Sequence, residues 1–164
     1  MQLTNDDIEW LKSNEGCPES SHSNGIYHSY RDGGGGEWTI YYGCCFDADG
    51  CKVNRATVWT DEEANKNFIA LHKKHEDKVN RLCKIDNVTL TQGQFCALVD
   101  FDFNTGSLDR STLWKRIVNK APIEEIEKQF LRWVYDNGKI VNGLRNRRLK
   151  EIERYKSNGS SSST

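Results

Sequence analysis

Before residue 60 the apolar positions fall in short clusters bounded by glycine; after it they recur mostly at helical spacing. Thr4-Asn5-Asp6-Asp7 ahead of Ile8, Trp10 and Leu11 predicts a capped short helix ending near Gly16. Residues 17–36 are rich in Ser, Gly and His, with four consecutive glycines at 33–36, and read as loops or hairpin turns. Trp38-Thr39-Ile40-Tyr41-Tyr42 predicts a short strand, and 43–58 an irregular or weakly stranded stretch. Thr60-Asp61-Glu62-Glu63 is a capping box that opens a long helix. Along it Ala64, Phe68, Leu71, Val79 and Leu82 keep one stripe, which His75 joins.

After a break at Asp86-Asn87, Thr91-Gln92-Gly93-Gln94 caps a helix with Phe95, Leu98 and Val99 on one face. Ser111 caps a short helix carrying Leu113, Trp114, Ile117 and Val118. Pro122 sits at a first-turn position, followed at helical spacing by Ile123, Ile126, Phe130, Trp133 and Val134. Gly138 and Gly143 bracket a loop before a last helix with Leu144, Leu149, Ile152 and Tyr155. The predicted class is α+β. A small β-containing N-terminal lobe (about 14–60) is joined by a helix (about 61–83) to a larger helical lobe (about 84–156), and the serine-rich tail 157–164 is expected to be disordered.

Composition narrows the functions. The 164 residues suit one ordinary domain. With 23 basic and 24 acidic residues the net charge is −1, which gives no global drive onto nucleic acid or an anionic membrane. No apolar run approaches the ~18 residues of a membrane span. The segment MQLTNDDIEWLKSNEG lacks the basic-then-apolar order of a signal peptide, so synthesis in the cytoplasm is expected. Four of the six cysteines lie between Cys17 and Cys51, which leaves plain thiols and disulfides both open. A zinc site would need Cys44, Cys45 and Cys51 with His22 or His28. Adjacent cysteines chelate poorly and there is no CxxC pair, so no metal is expected.

Glu15, where an amphipathic helix meets a glycine, and Asp32, before the glycine run, are candidate carboxylates for glycoside hydrolysis, which needs one proton donor and a second group to handle water or the sugar cation. In a chain with 24 acidic residues that pairing alone is weak, because solvated helix-end carboxylates look the same.

Two long stretches make the reading specific. Leu90, Thr91, Gln92, Gln94, Phe95, Ala97, Leu98, Phe101, Phe103, Asn104 and Gly106, then Ser111, Thr112 and Leu113, and later Phe130, Arg132, Trp133, Gly138, Lys139, Gly143, Leu144, Arg147 and Arg148, follow a pattern that closely resembles the phage-type lysozymes (endolysins, muramidases) of glycoside hydrolase family 24. In that register Glu15-Gly16, Tyr30-Arg31-Asp32 and Trp38 to Gly43 resemble the family's catalytic segments. The resemblance implies a two-lobed lysozyme-like fold and a catalytic set of Glu15, Asp32 and Thr39. Glu15 would protonate the bond between N-acetylmuramic acid and N-acetylglucosamine, while Asp32 and Thr39 hold the attacking water, giving inversion. It also implies no cofactor, peptidoglycan as partner, action on the periplasmic wall after release by a holin or secretion machinery, no stable membrane insertion, and a monomer.

The chain departs from the family pattern in places. Sixteen residues separate Glu15 from Asp32, about twice the usual, which points to an insertion over about 17–28 with little value to a core. The family's His after the Gly-Tyr-Gly motif is Cys44 here, and Tyr41 replaces a glycine. Glu37 is the substitute should Asp32 not serve. Trp38, Asn104, Tyr135, Asn137 and Arg145 are candidate substrate contacts, and Arg145, Arg147 and Arg148 equally suit a solvated face or salt bridges. His72 and His75 read as surface and stripe residues. Two rival functions stay in view: a binding module that has lost catalysis, and a lytic transglycosylase using Glu15 alone.

Overall fold

The computed structural model describes residues 1–31 and 36–157. Asp32 and most of the tail expected to be disordered lie outside them. The α+β class expected from the sequence is the one observed. The chain divides into two compact units, Thr4–Lys74 and a second that takes Met1–Leu3 with the chain from His75 on.

In the first unit, α1 (Asn5–Glu15) starts at a reciprocal capping box between Thr4 and Asp7 and buries Asp7 and Leu11. Its end is fixed by Gly16, whose N–H donates to Lys12 O at 3.1 Å from a backbone with φ of 68°. The segment 17–28 buries only Ser21, in keeping with the little core value expected of it. After a 3-10 turn at Glu19–Ser21 it forms a hairpin, β1 (His22–Ser23) and β2 (Ile26–His28). The two-residue turn is Asn24-Gly25, both at positive φ, the geometry that matches strand twist. β2 pairs antiparallel with β5 (Val58–Thr60), with Tyr27 opposite Trp59, and Tyr27 packs its ring edge-on to Tyr41 at 4.6 Å. The insertion therefore supplies two of the three strands of this sheet, through a period-2 pattern too short to stand out in the sequence.

A second antiparallel pair joins β3 (Tyr30–Arg31) to β4 (Trp38–Thr39). The strand expected over 38–42 stops at Thr39. Ile40 and Cys44 exchange backbone hydrogen bonds of 2.9 and 3.0 Å, and the chain turns between them with Tyr41 at φ 56° and Gly43 at φ 76°. Leu11, Ile40, Trp59, Ala64 and Phe68 are buried here.

The long helix α2 (Asp61–Asp86) begins with the Thr60–Glu63 capping box and runs three residues past the expected end, to Asn87 at φ 53°. Asp86 accepts from the Trp114 indole at 2.7 Å, which holds that last turn.

In the second unit α3 (Gln92–Thr105) is capped by Thr91 and Gln94. It is buried on every side from Phe95 to Asp102, not on one face, which makes it the central helix. Gly93 allows the close approach of α6 (Asn142–Lys156): a Cβ there would run into the carbonyls of Arg154 and Ser157. Around α3 pack α4 (Thr112–Val118), capped by Ser111, and α5 (Ile123–Phe130), which bury Leu113, Trp114, Ile126 and Phe130 in one core. α5 ends at Phe130 rather than Val134, because a tight turn bonds Trp133 N–H to Phe130 O at 3.1 Å. The expected loop at 138–143 is a hairpin, β6 (Tyr135–Asp136) with β7 (Lys139–Ile140), and Gly143 lies inside α6.

Candidate active site

Helix α1 ends at Glu15, and the turn 40–45 lies against its carboxylate. A Cβ on Gly43 would stand 2.6 Å from Glu15 Oε2, so the carboxyl occupies the space that any larger residue would take. Glu15 Oε1 is out of contact with water. The next residue, Cys44, is buried, and burial first, then the charge of Glu15, pushes its thiol far up, so it stays protonated. This thiol sits where the family pattern has histidine and is a neutral neighbour to the carboxyl.

The turn also reaches Thr39, which is buried and paired across the strands with Tyr30. Its hydroxyl donates to Glu37 O at 3.2 Å and lies 3.8 Å from Cys45 Sγ. Tyr30 OH donates to Tyr41 O at 3.0 Å, pinning the turn to β3. One six-residue turn thus carries the groups beside Glu15 and those beside Thr39. Asp32 is outside the described residues. Its substitute Glu37 is exposed and bonded to Lys52 Nζ at 2.7 Å, which lowers its pKa and keeps it an ionised surface carboxylate. Trp38 is half-buried under the Arg31 guanidinium, 5.0 Å from its ring centroid. Both line an open groove of about 570 Å³ with Gly36, Lys52, Val53 and Asn54.

The other candidate contacts belong to the helical unit. Asn104, exposed near the end of α3, accepts from the buried Arg148 Nη2 at 2.7 Å, so its amide orientation is set from inside. Tyr135 is exposed on β6. Asn137 has φ 48° and is followed by Gly138 at φ 75°, so the two-residue hairpin turn accounts for its type. Arg145 is exposed on α6 and has no carboxylate partner among the described residues.

Arg147 and Arg148 are not a solvated face. Arg147 donates to both oxygens of Asp100, at 2.7 and 3.2 Å, and Arg148 pairs with Glu151 at 2.8 Å. Asp100, Arg148 and Glu151 are fully buried. Burial first, and then the negative charge of Asp100, hold the Glu151 carboxyl well above its usual pKa, against the pull of the two arginines. Similarly, His72 is buried rather than on the surface, its Nδ1 at 2.9 Å from Phe68 O. His75 Nδ1 donates to the buried Asp102 at 2.6 Å, which Lys78 Nζ also meets at 2.8 Å. Sequence reading missed Asp100, Asp102 and Glu151, and the only signal was their place among apolar neighbours on helices.

All six cysteines are free thiols. No group of three or more His, Cys, Asp or Glu side chains that could hold a metal occurs among the described residues. Among the same residues no helix is long and apolar enough to cross a membrane.

Residues 21–151 match the family model for phage lysozyme. An endolysin of Bacillus phage B103 is 31% identical over 92% of this chain, and the chain spans about half (52%) of that relative's length. A solved endolysin from Escherichia coli O157:H7 phage FAHEc1 is 30% identical, covering 95% of this chain and 94% of its own, with a TM-score of 0.77. The muramidase domain of SpmX from Asticaccaulis excentricus shares the fold at 23% identity and a TM-score of 0.70, over 95% of this chain and 98% of its own.

Proposed function

The chain belongs to the phage lysozyme family, and from that premise we propose that it is a muramidase that hydrolyses the β-1,4 bond between N-acetylmuramic acid and N-acetylglucosamine in bacterial peptidoglycan. The observation that carries the proposal is the seating of Glu15. A general acid works from a fixed place partly withdrawn from water. Glu15 stands at a helix end with one oxygen out of water, against Gly43 and the protonated Cys44. In this reading Glu15 protonates the glycosidic oxygen and the bond to the anomeric carbon breaks. Water attacks that carbon from the opposite face, and its proton passes to Asp32. Thr39 orients the water, and the product is inverted.

Trp38, Asn104, Tyr135, Asn137 and Arg145 contact the glycan in this proposal. The protein acts as a monomer on the wall for cell lysis, reaching it with a holin or secretion machinery. No cofactor takes part, since two carboxylates and water suffice. Mass spectrometry and NMR of products from purified peptidoglycan test the proposal. Reducing muramic ends formed first as the α-anomer are expected. Anhydro-muramic ends would replace it with the transglycosylase, and an undigested substrate with a binding module.

A further inference from the structure

A cavity of about 450 Å³ lies in the unit that contains neither Glu15 nor Thr39, between the 87–90 connection, the start of α3 and the ends of α4 and α6. Its apolar wall is aliphatic, with Val88, Leu90, Ile117, Val118 and Ile126. Tyr155 adds a phenol that is only 5% exposed, its ring edge-on to Phe130 at 5.7 Å. A buried phenol ordinarily finds a hydrogen-bond partner, but this hydroxyl has none among the described residues and opens onto the cavity instead. Burial pushes its pKa up to about 12, so it stays a donor. The Gln94 amide oxygen accepts from the Thr91 N–H at 2.9 Å, which leaves the amide nitrogen uncommitted. Lys120 brings an ammonium with no acidic partner among the described residues. Its backbone is held at φ 52°, with its N–H donating to Ile117 O at 3.0 Å. No acidic side chain lines the cavity.

We propose that this cavity binds a medium-chain monocarboxylate, its alkyl chain among the aliphatic side chains and its head on the Lys120 ammonium. The proposal stands apart from the muramidase reading. One cation, neutral donors and no acid in the wall call for a head that only accepts hydrogen bonds and carries a single negative charge. A phosphate monoester, at about −1.5 to −2, would leave charge unpaired there. An amine would meet Lys120 with like charge. Aliphatic walls with a single aromatic ring suit a flexible chain better than a stacked ring. The volume equals the share of about fifteen waters at ~30 Å³ each, which an eight-carbon chain displaces in part. Moving that chain out of water supplies the drive, and the polar groups fix its orientation.

The test titrates the whole chain with octanoate by NMR, beside 1-octanol, octyl phosphate and octylammonium. Octanoate is expected to shift the methyl signals of Ile117, Val118 and Ile126 saturably, and to bind at least ~10-fold more tightly than each of the other three. Lys120 is exposed, so Lys120→Gln is expected to erase the preference over octanol with the melting temperature of the free protein unchanged. Tyr155→Phe keeps the ring against Phe130 and is expected to weaken octanoate by at least ~3-fold. Shifts that do not saturate by ~10 mM octanoate, or that fall only on other residues, overturn the proposal. So does octanol binding as tightly as octanoate, a preference kept by Lys120→Gln, or full affinity in Tyr155→Phe. Tighter binding of octyl phosphate overturns the carboxylate assignment and gives the cavity to a phosphate head.

Discussion

The Glu15 carboxylate occupies the volume that a side chain at Gly43 would need, with Oε2 only 2.6 Å from where a Cβ would be. Gly43 is also at φ 76°, a left-handed conformation that costs an L side chain roughly 1 kcal/mol or more. Gly43→Ala therefore meets two demands, and they separate in measurement. The backbone demand lowers stability by about 1–2 kcal/mol. The contact demand falls on the mobile end of Glu15, which must swing away, so kcat on peptidoglycan is expected to drop at least ~10-fold. A variant that loses stability but keeps wild-type kcat would show that Glu15 tolerates displacement and does not serve as the acid.

Glu15→Gln keeps the shape of that contact and removes the transferable proton. Clearing of permeabilised cells is expected to slow by at least ~10²-fold with an unchanged circular dichroism melt. Near wild-type clearing would remove Glu15 from the mechanism.

How much of this was legible in the sequence differs between the two units. Capping boxes at Thr4, Thr60 and Thr91 and the Ser111 cap announced four helices, because a cap is a local bargain between a side chain and the first N–H groups. The roles proposed for Glu15 and Thr39 come from the resemblance, because the residue types of their segments suit the chemistry. A hairpin turn within 17–36 was among the readings, but its pairing with β5 was not, because its strands have two and three residues and gain their meaning only against β5. The partners of Arg147 and Arg148 were hidden for another reason. Asp100 lies 47 residues before Arg147, and no local pattern marks a buried carboxylate as paired.

That pairing makes Arg147 a sensitive position. Arg147→Met removes the guanidinium bonded to both oxygens of a fully buried Asp100, and breaking one side of a buried pair costs about 3–5 kcal/mol. For a chain of this length a fall in Tm of roughly 10 °C is expected. The companion variant Asp100→Asn/Arg147→Met should recover part of it. A melt within 2 °C of wild type (about 1 kcal/mol or less) would mean that α3 and α6 are held by their apolar contacts alone.

Asp102 sets how the fold answers to acid. Burial alone would raise its pKa, but bonds from His75, Lys78 and the Leu108 N–H outweigh it and hold the carboxylate below its usual value. The unfolded chain has an aspartate near pKa 3.9, so between that and the lower folded value it binds more protons than the native state does. The stabilisation is complete above the unfolded pKa and is lost as pH falls through the folded one. Asp109, also lowered by Lys78, titrates in the same direction, but it is largely exposed and is left intact. Asp102→Asn cannot titrate at this position. Its Tm is expected to lie below wild type at pH 5.5 and to fall less steeply from pH 4 to 2.5, so that the two curves converge in acid. Parallel curves through that range would place the acid sensitivity elsewhere, because a group that stabilises through its charge must release that stabilisation when it is protonated.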